Sequence, residues 1–106
     1  MPNLYGIIGE HPPNVCSISN KTVREAARKT LGVLPSLLQK HNVKLIGQYH
    51  FDPKHLGVMI LEADNVESVR DVIEQSGFTQ WVNLEIYPAT PIDKWISKAE
   101  QLPTIF

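Results

Sequence analysis

Residues 43–64 have the sequence VKLIGQYHFDPKHLGVMILEAD, in which two apolar runs flank a short polar segment that contains Asp52-Pro53. The runs 43–51 and 55–63 have the length and the content of β-branched and aromatic residues that strands favour. Because their connection is short and contains proline, they predict an antiparallel hairpin. His50 and His55 bracket the turn, and a register that pairs them would place their Cβ atoms about 5 Å apart.

This register also assigns the two faces of the hairpin. Beyond the histidines, the predicted cross-strand pairs are Gln48 with Gly57, Ile46 with Met59, and Lys44 with Leu61. The side chains of the opposite face are then predicted to form the core beneath the helices, namely Val43, Leu45, Tyr49, Leu56, Val58 and Ile60.

The segments before the hairpin predict a strand and a helix. Residues 4–9 are a short apolar run that ends near two prolines, which cannot donate to a strand ladder. The helix is predicted to begin at Thr22, because Thr22 and Glu25 have the spacing of a capping box. Its apolar face comprises Val23, Ala27, Leu31, Leu34 and Leu38. Gly32 and Pro35 interrupt this pattern, so we expect a kink or two short helices.

The segments after the hairpin predict a second helix, a fourth strand and a third helix. Asp64 and Glu67 have capping-box spacing, and Gly77 is typical of a helix end. The apolar face of the second helix comprises Val66, Val69, Val72 and Ile73. Residues 81–87 alternate as a strand does, and residues 90–93 resemble a cap with proline at the first helical position. The last helix is expected to pack through Ile92, Trp95, Ile96 and Ala99.

The resulting order, β-α-β-β-α-β, predicts a ferredoxin-like α+β fold with the helices on one face of the sheet. Residues 1–106 are predicted to form this single domain, because no repeat or linker divides the chain. Right-handed crossovers would bring the ends of strands one and two and the starts of strands three and four to one rim. The extra C-terminal helix is expected to cover an edge or to dock on a partner.

Composition and charge narrow the classes of partner. The chain is 42% hydrophobic and 20% charged, and its net charge of −1 gives no reason to expect nucleic acid or a membrane surface. A single cysteine and the lack of a signal-like or membrane-spanning apolar run favour a cytoplasmic location. The sequence contains no C-x-x-C pair, phosphate-binding glycine motif or nucleophilic serine motif.

The predicted rim collects side chains that bind metals. His50 and His55 are the first candidates, His11 is an additional ligand and Cys16 an optional one. Imidazole and thiolate suit zinc, copper and nickel, and a haem with one histidine as axial ligand is the other cofactor considered. The competing interpretation is a pair of exposed hairpin histidines and an inert thiol. His41 is predicted to cap the first helix and is excluded from the site.

The sheet face away from the helices is predicted to carry polar and aromatic groups together. Gln48, Trp81, Asn83 and Glu85 are the candidate ligand-binding residues of this open face. Enclosure by a second subunit would turn the face into a chamber for a small molecule. In that chamber Glu85 could serve as a general base if burial raised its pKa, or it could be a solvated residue or an intersubunit ion-pair partner.

The segments VKLIGQYHFDPKHLGVMILEAD and WVNLEIYPATPIDKWI, residues 43–64 and 81–96, resemble the central hairpin and the last strand and trailing helix of the dimeric α/β-barrel superfamily. In that superfamily two ferredoxin-like subunits press their sheets together, so the resemblance implies a homodimer. Its members include cofactor-free monooxygenases, haem enzymes, lactone isomerases and proteins without known activity, so the fold leaves the activity open.

The function predicted from the sequence is therefore a small metal- or ligand-binding protein that uses the open sheet face of a homodimer. One alternative is a cofactor-free monooxygenase or isomerase that positions an organic substrate with His50, Glu85 and Trp81. Another is a non-catalytic dimeric interaction module. The residues alone leave open whether the protein is an enzyme.

Overall fold

A computed structural model describes residues 2–106. The strands are β1 (Asn3–Glu10), β2 (Lys44–Phe51), β3 (Leu56–Ala63) and β4 (Asn83–Ala89), and the helices are α1 (Lys21–Lys40), α2 (Val66–Ser76) and α3 (Ile92–Glu100). Single 3-10 turns precede α1 and β4, at Pro13–Val15 and Phe78–Gln80. The sheet is antiparallel with the order β2-β3-β1-β4. This topology confirms the predicted ferredoxin-like α+β fold.

Helix α1 begins one residue earlier than predicted and is one continuous helix. The side chain of Asn20 accepts a hydrogen bond from the backbone N–H of Val23 at 3.1 Å, so the predicted Thr22–Glu25 capping box is wrong. The predicted alternative of two short helices is also wrong, because α1 continues through Pro35 as one helix. Pro35 lies on the exposed side of the helix, where water can hydrate the carbonyl that lost its partner.

Helix α2 follows the predicted apolar face but not the predicted cap. Val69, Val72 and Ile73 are buried and Val66 packs against them, as predicted. The N-cap residue is Asn65, not Asp64, and its side chain accepts from the Ser68 N–H at 2.9 Å. The helix ends at Gly77, whose left-handed conformation is the one predicted for a glycine stop.

The hairpin register differs from the prediction by two residues. His50 pairs with Gly57, so the predicted cross-strand pair of His50 and His55 is wrong. The ladder closes at Phe51 and Leu56, and its register shifts between Leu45 and Gly47. His55 stays outside the ladder because its carbonyl accepts from the backbone N–H of His11 at 3.2 Å, which ties the turn to β1.

The two faces of β3 are the reverse of those predicted. Its buried side chains are Met59, Leu61 and Ala63, whereas the prediction placed Leu56, Val58 and Ile60 in the core. In β2, Val43 and Leu45 lie inward as predicted. Tyr49 is 65% exposed and lies on the other face. At and just before β4, Val82, Leu84 and Ile86 pack against the core, in keeping with the alternation predicted for residues 81–87.

Two apolar surfaces remain uncovered in the single chain. The open face of the sheet exposes Ile8, Tyr49, Phe51 and Tyr87. Helix α3 buries none of its residues within the described chain, so the predicted packing through Ile92, Trp95 and Ile96 is wrong for one subunit. Its N-cap residue is Pro91, without a side-chain capping bond in the described structure. None of the helices described between residues 2 and 106 is both long and apolar enough to span a bilayer.

Candidate metal centre and cavity

The rim of the sheet brings together three loops that are distant in sequence. At this end β1 runs into the loop before α1, β2 turns into β3, and the segment after α2 enters β4. The backbone hydrogen bond between His11 and His55 joins the first two of these loops directly. The loops that carry the predicted metal-binding side chains therefore meet at one end of the sheet.

His11, Cys16 and His55 form a compact group of metal-binding atoms. One ligand atom from each lies within 4.8 Å of the other two. The ring centroids of His11 and His55 are 5.3 Å apart, and Cys16 is only 3% exposed. We call these three residues the His-Cys cluster.

Both histidines of the His-Cys cluster carry a buried nitrogen without a partner. His11 Nε2 and His55 Nδ1 are screened from solvent and have no hydrogen bond within residues 2–106. Leaving such a group buried and unpaired costs about 1–3 kcal/mol. Two such nitrogens beside a buried thiol are a donor set that a metal ion would satisfy.

The electrostatic environment keeps His11 in its neutral form. Burial lowers the pKa of His11 below its ordinary value of 6.5, and the neighbouring rings of His55 and His50 lower it further. Neutral imidazole is the form that coordinates a metal, so this environment favours coordination near neutral pH.

Hydrogen bonds fix the loop that carries Cys16. The Cys16 carbonyl accepts from the backbone N–H groups of Ser19 and Asn20 at 3.1 and 2.8 Å. The guanidinium of Arg24 donates to the carbonyls of Ser17 and Ile18 at 2.7 and 3.0 Å. The backbone around Cys16 is therefore fixed by hydrogen bonds from the N-cap and the first turn of α1. Neither Asn20 nor Arg24 was predicted to have this role.

His50 lies beside the His-Cys cluster without joining its compact group. Its ring centroid is 6.4 Å from that of His11, and its Nδ1 lies 2.7 Å from an oxygen of Asp52. The prediction ranked His50 with His55 first and Cys16 last, whereas the geometry places Cys16 with His55 and His11. His41 is the C-cap residue of α1, as predicted, and lies away from this rim.

A cavity of about 380 Å³ adjoins the cluster on the helix side of the sheet. Its floor includes Gly9 and Gly57, which pair across β1 and β3 and put no side chain into the space. His11 belongs both to its wall and to the His-Cys cluster. The cavity is a half-open cleft of one subunit, and Tyr49 and Val58, whose side chains lie on the open face, also border it.

The four predicted ligand-binding residues divide between the two faces of the sheet. Gln48 and Trp81 line the cavity. Asn83 and Glu85 are exposed on the open face, where Glu85 accepts a hydrogen bond from the Tyr87 hydroxyl. That bond, with the carboxylate's charge, raises the pKa of Tyr87. The predicted chamber that joins Glu85 to His50 and Trp81 is therefore wrong.

Comparison with known proteins identifies the family. Residues 15–103 match DUF3303, a domain of unknown function, and the chain belongs to this family. No curated protein matches the chain. The 30S ribosomal protein S6 from Thermotoga maritima is 11% identical, and the alignment covers 95% of this chain and 100% of that one with a TM-score of 0.49. An uncharacterized protein from Thermotoga maritima is 14% identical over 85% of this chain and 100% of its own, with a TM-score of 0.41. At these TM-scores neither structure bears on the function of this chain.

Proposed function

We propose that the protein binds one zinc, copper or nickel ion through His11, Cys16 and His55. The observation that carries the proposal is the pair of buried, unpartnered imidazole nitrogens beside a buried thiol. Two imidazoles and a thiolate are borderline-to-soft donors, which favour these metals over magnesium or calcium. The thiolate would offset part of the ion's charge in this screened position.

The number of donors favours an open coordination position. No fourth histidine, cysteine or carboxylate joins the compact group within residues 2–106. A four-coordinate ion with three protein ligands leaves one position for water or a small molecule, as in catalytic zinc sites. Haem suits the geometry less well, because the three donor atoms lie within 4.8 Å of one another and so converge on one small ion.

Metal content tests this proposal directly. Purified protein incubated with zinc and dialysed should retain one ion per chain by elemental analysis. The cobalt-substituted protein should show near-ultraviolet absorption from thiolate-to-cobalt charge transfer, because a cysteine is among the ligands. Retention of no zinc, copper or nickel after dialysis would refute the proposal.

We also propose that a second copy of the chain covers the open face, as the superfamily resemblance implies. An antiparallel sheet covered by helices on one side can leave the other face to solvent, but solvated faces are normally polar. Here the face exposes Ile8, Phe51, Tyr49 and Tyr87, and patches of this kind mark interaction sites. A symmetric dimer would bury the same patch of both subunits.

Sedimentation at micromolar concentration should therefore give twice the chain mass of 11.9 kDa. Ile8→Lys should shift the protein to monomer, because Ile8 lies on a central strand of the open face and a charge there would be buried in the interface. The same substitution at Ile18, which is 77% exposed in a loop, should leave the mass unchanged. A monomeric wild-type protein would contradict the dimer.

A further inference from the structure

The cavity beside the His-Cys cluster has a size and a lining suited to one small molecule. Its volume of about 380 Å³ lies at the lower end of the range for ligand pockets. The wall is mainly apolar and includes Ile7, Leu31, Met59 and Phe78. Within the described chain, its lining includes no aspartate, glutamate, lysine or arginine. A ligand with a largely uncharged, apolar body fits these walls.

The floor of the cavity includes one cross-strand pair without side chains, Gly9 and Gly57. A Cβ atom at Gly9 would come within 2.8 Å of Val82, so this glycine is required by packing. A Cβ atom at Gly57 would meet nothing closer than the Tyr49 carbonyl oxygen at 3.5 Å, which is an ordinary contact. Alanine would therefore fit at Gly57. A larger side chain at this floor position would take up the cavity itself.

One polar group at the cluster end of the cavity is left without a partner. The indole Nε1 of Trp81 is buried and makes no hydrogen bond within residues 2–106. The indole N–H can only donate, so its natural partner is an acceptor such as oxygen. The Trp81 ring lies 6.2 Å from the His11 ring and 6.0 Å from the Phe78 ring. The ring that carries the unpaired donor is therefore close both to Phe78 of the apolar wall and to His11 of the His-Cys cluster.

We propose that the cavity binds a small aromatic molecule with one oxygen substituent, of the phenol class. Its ring packs against Met59 and Phe78, since sulfur and aromatic groups make favourable contacts with a ring. Its oxygen accepts a hydrogen bond from Trp81 Nε1 and faces the His-Cys cluster. The placement of the ligand rests on the cavity and on Trp81. Only the contact between its oxygen and a metal ion rests on the proposed function.

Isothermal titration calorimetry with p-cresol and toluene, which differ by one hydroxyl, tests this proposal. It measures whether the cavity binds an aromatic ring and whether Trp81 binds the oxygen. The wild-type protein should bind p-cresol roughly tenfold more tightly than toluene, because only p-cresol satisfies the Trp81 donor. Trp81→Phe keeps an aromatic ring but removes the donor, and it should abolish most of this difference. Failure of wild-type protein to bind p-cresol, or an unchanged preference in Trp81→Phe, would overturn the proposal.

Gly57, in the floor of the cavity, is the position of the second variant and of its control. Gly57→Leu should remove binding of both probes, and Gly57→Ala should keep binding within about threefold, because only leucine fills the space. Circular dichroism and retained zinc would show that Gly57→Leu folds. Equal p-cresol binding by folded Gly57→Leu and wild type would refute the cavity as the site.

Titrations of zinc-loaded and metal-free protein separate this inference from the metal proposal. Binding of p-cresol with the expected dependence on Gly57 and Trp81, in a protein that retains no metal, would support the cavity site and refute the metal site. Zinc binding without p-cresol binding would support the metal site and refute the cavity site.

Discussion

Replacement of Cys16 by serine is expected to lower the affinity for zinc at least about 100-fold. The loss of a group that merely orients a metal ligand typically costs 10–100-fold in affinity, and Cys16 is proposed as a ligand itself. The thiolate is also the only anionic donor of the His-Cys cluster. A serine hydroxyl stays protonated near neutral pH, so it supplies neither the charge nor the soft donor atom.

Competition against a chromophoric chelator would measure this loss, and the charge-transfer absorption of the cobalt protein should disappear with it. His11→Ala and His55→Ala should weaken binding as well, because each removes one donor of the same group. His41→Ala is the matched control, since His41 lies at the C-cap of α1 and bonds Gln75. A Cys16→Ser protein that binds zinc within about threefold of wild type would contradict the assigned ligands.

The position of the candidate site was predictable from topology, but the set of residues that form it was not. The order of strands placed His11, His50 and His55 at one rim, which requires only the chain order and right-handed crossovers. The closeness of Cys16 depends on how the loop before α1 folds, and that loop is fixed by Asn20 and Arg24. Such side-chain-to-backbone contacts leave no periodic signal in a sequence.

The fold likewise has features that a local sequence pattern predicts and features that depend on contacts between distant residues. Every predicted helix and strand is present, because 3.6-residue and two-residue periodicities are visible locally. The inner face of β3 was wrongly predicted because residues 56–61 are apolar on both faces, apart from Gly57, so alternation could not choose between them. The floor of the cavity depends on this face, since Gly57 lies on the inner face of β3 and pairs with Gly9 of β1.

Leu61→Ala is expected to lower the free energy of unfolding by about 3 kcal/mol, within the 2–5 kcal/mol typical of buried leucines. Leu61 is 0% exposed and lies between Tyr5 and Leu45 on the inner face. The close packing of this core leaves little room for neighbours to fill the space that leucine vacates. Urea denaturation should show a lower midpoint with an unchanged slope.

Ile60→Ala is the matched control for this face assignment, because Ile60 is adjacent in sequence and lies on the open face. Its side chain is only partly buried in the single chain, so truncation should cost less than Leu61→Ala. If a second subunit covers the open face, the Ile60→Ala effect should vary with protein concentration, because dimer formation contributes to stability by mass action. The Leu61→Ala defect comes from the subunit's own core and should persist at every concentration. A larger loss for Ile60→Ala than for Leu61→Ala, independent of concentration, would restore the predicted face assignment, in which Ile60 lies in the core.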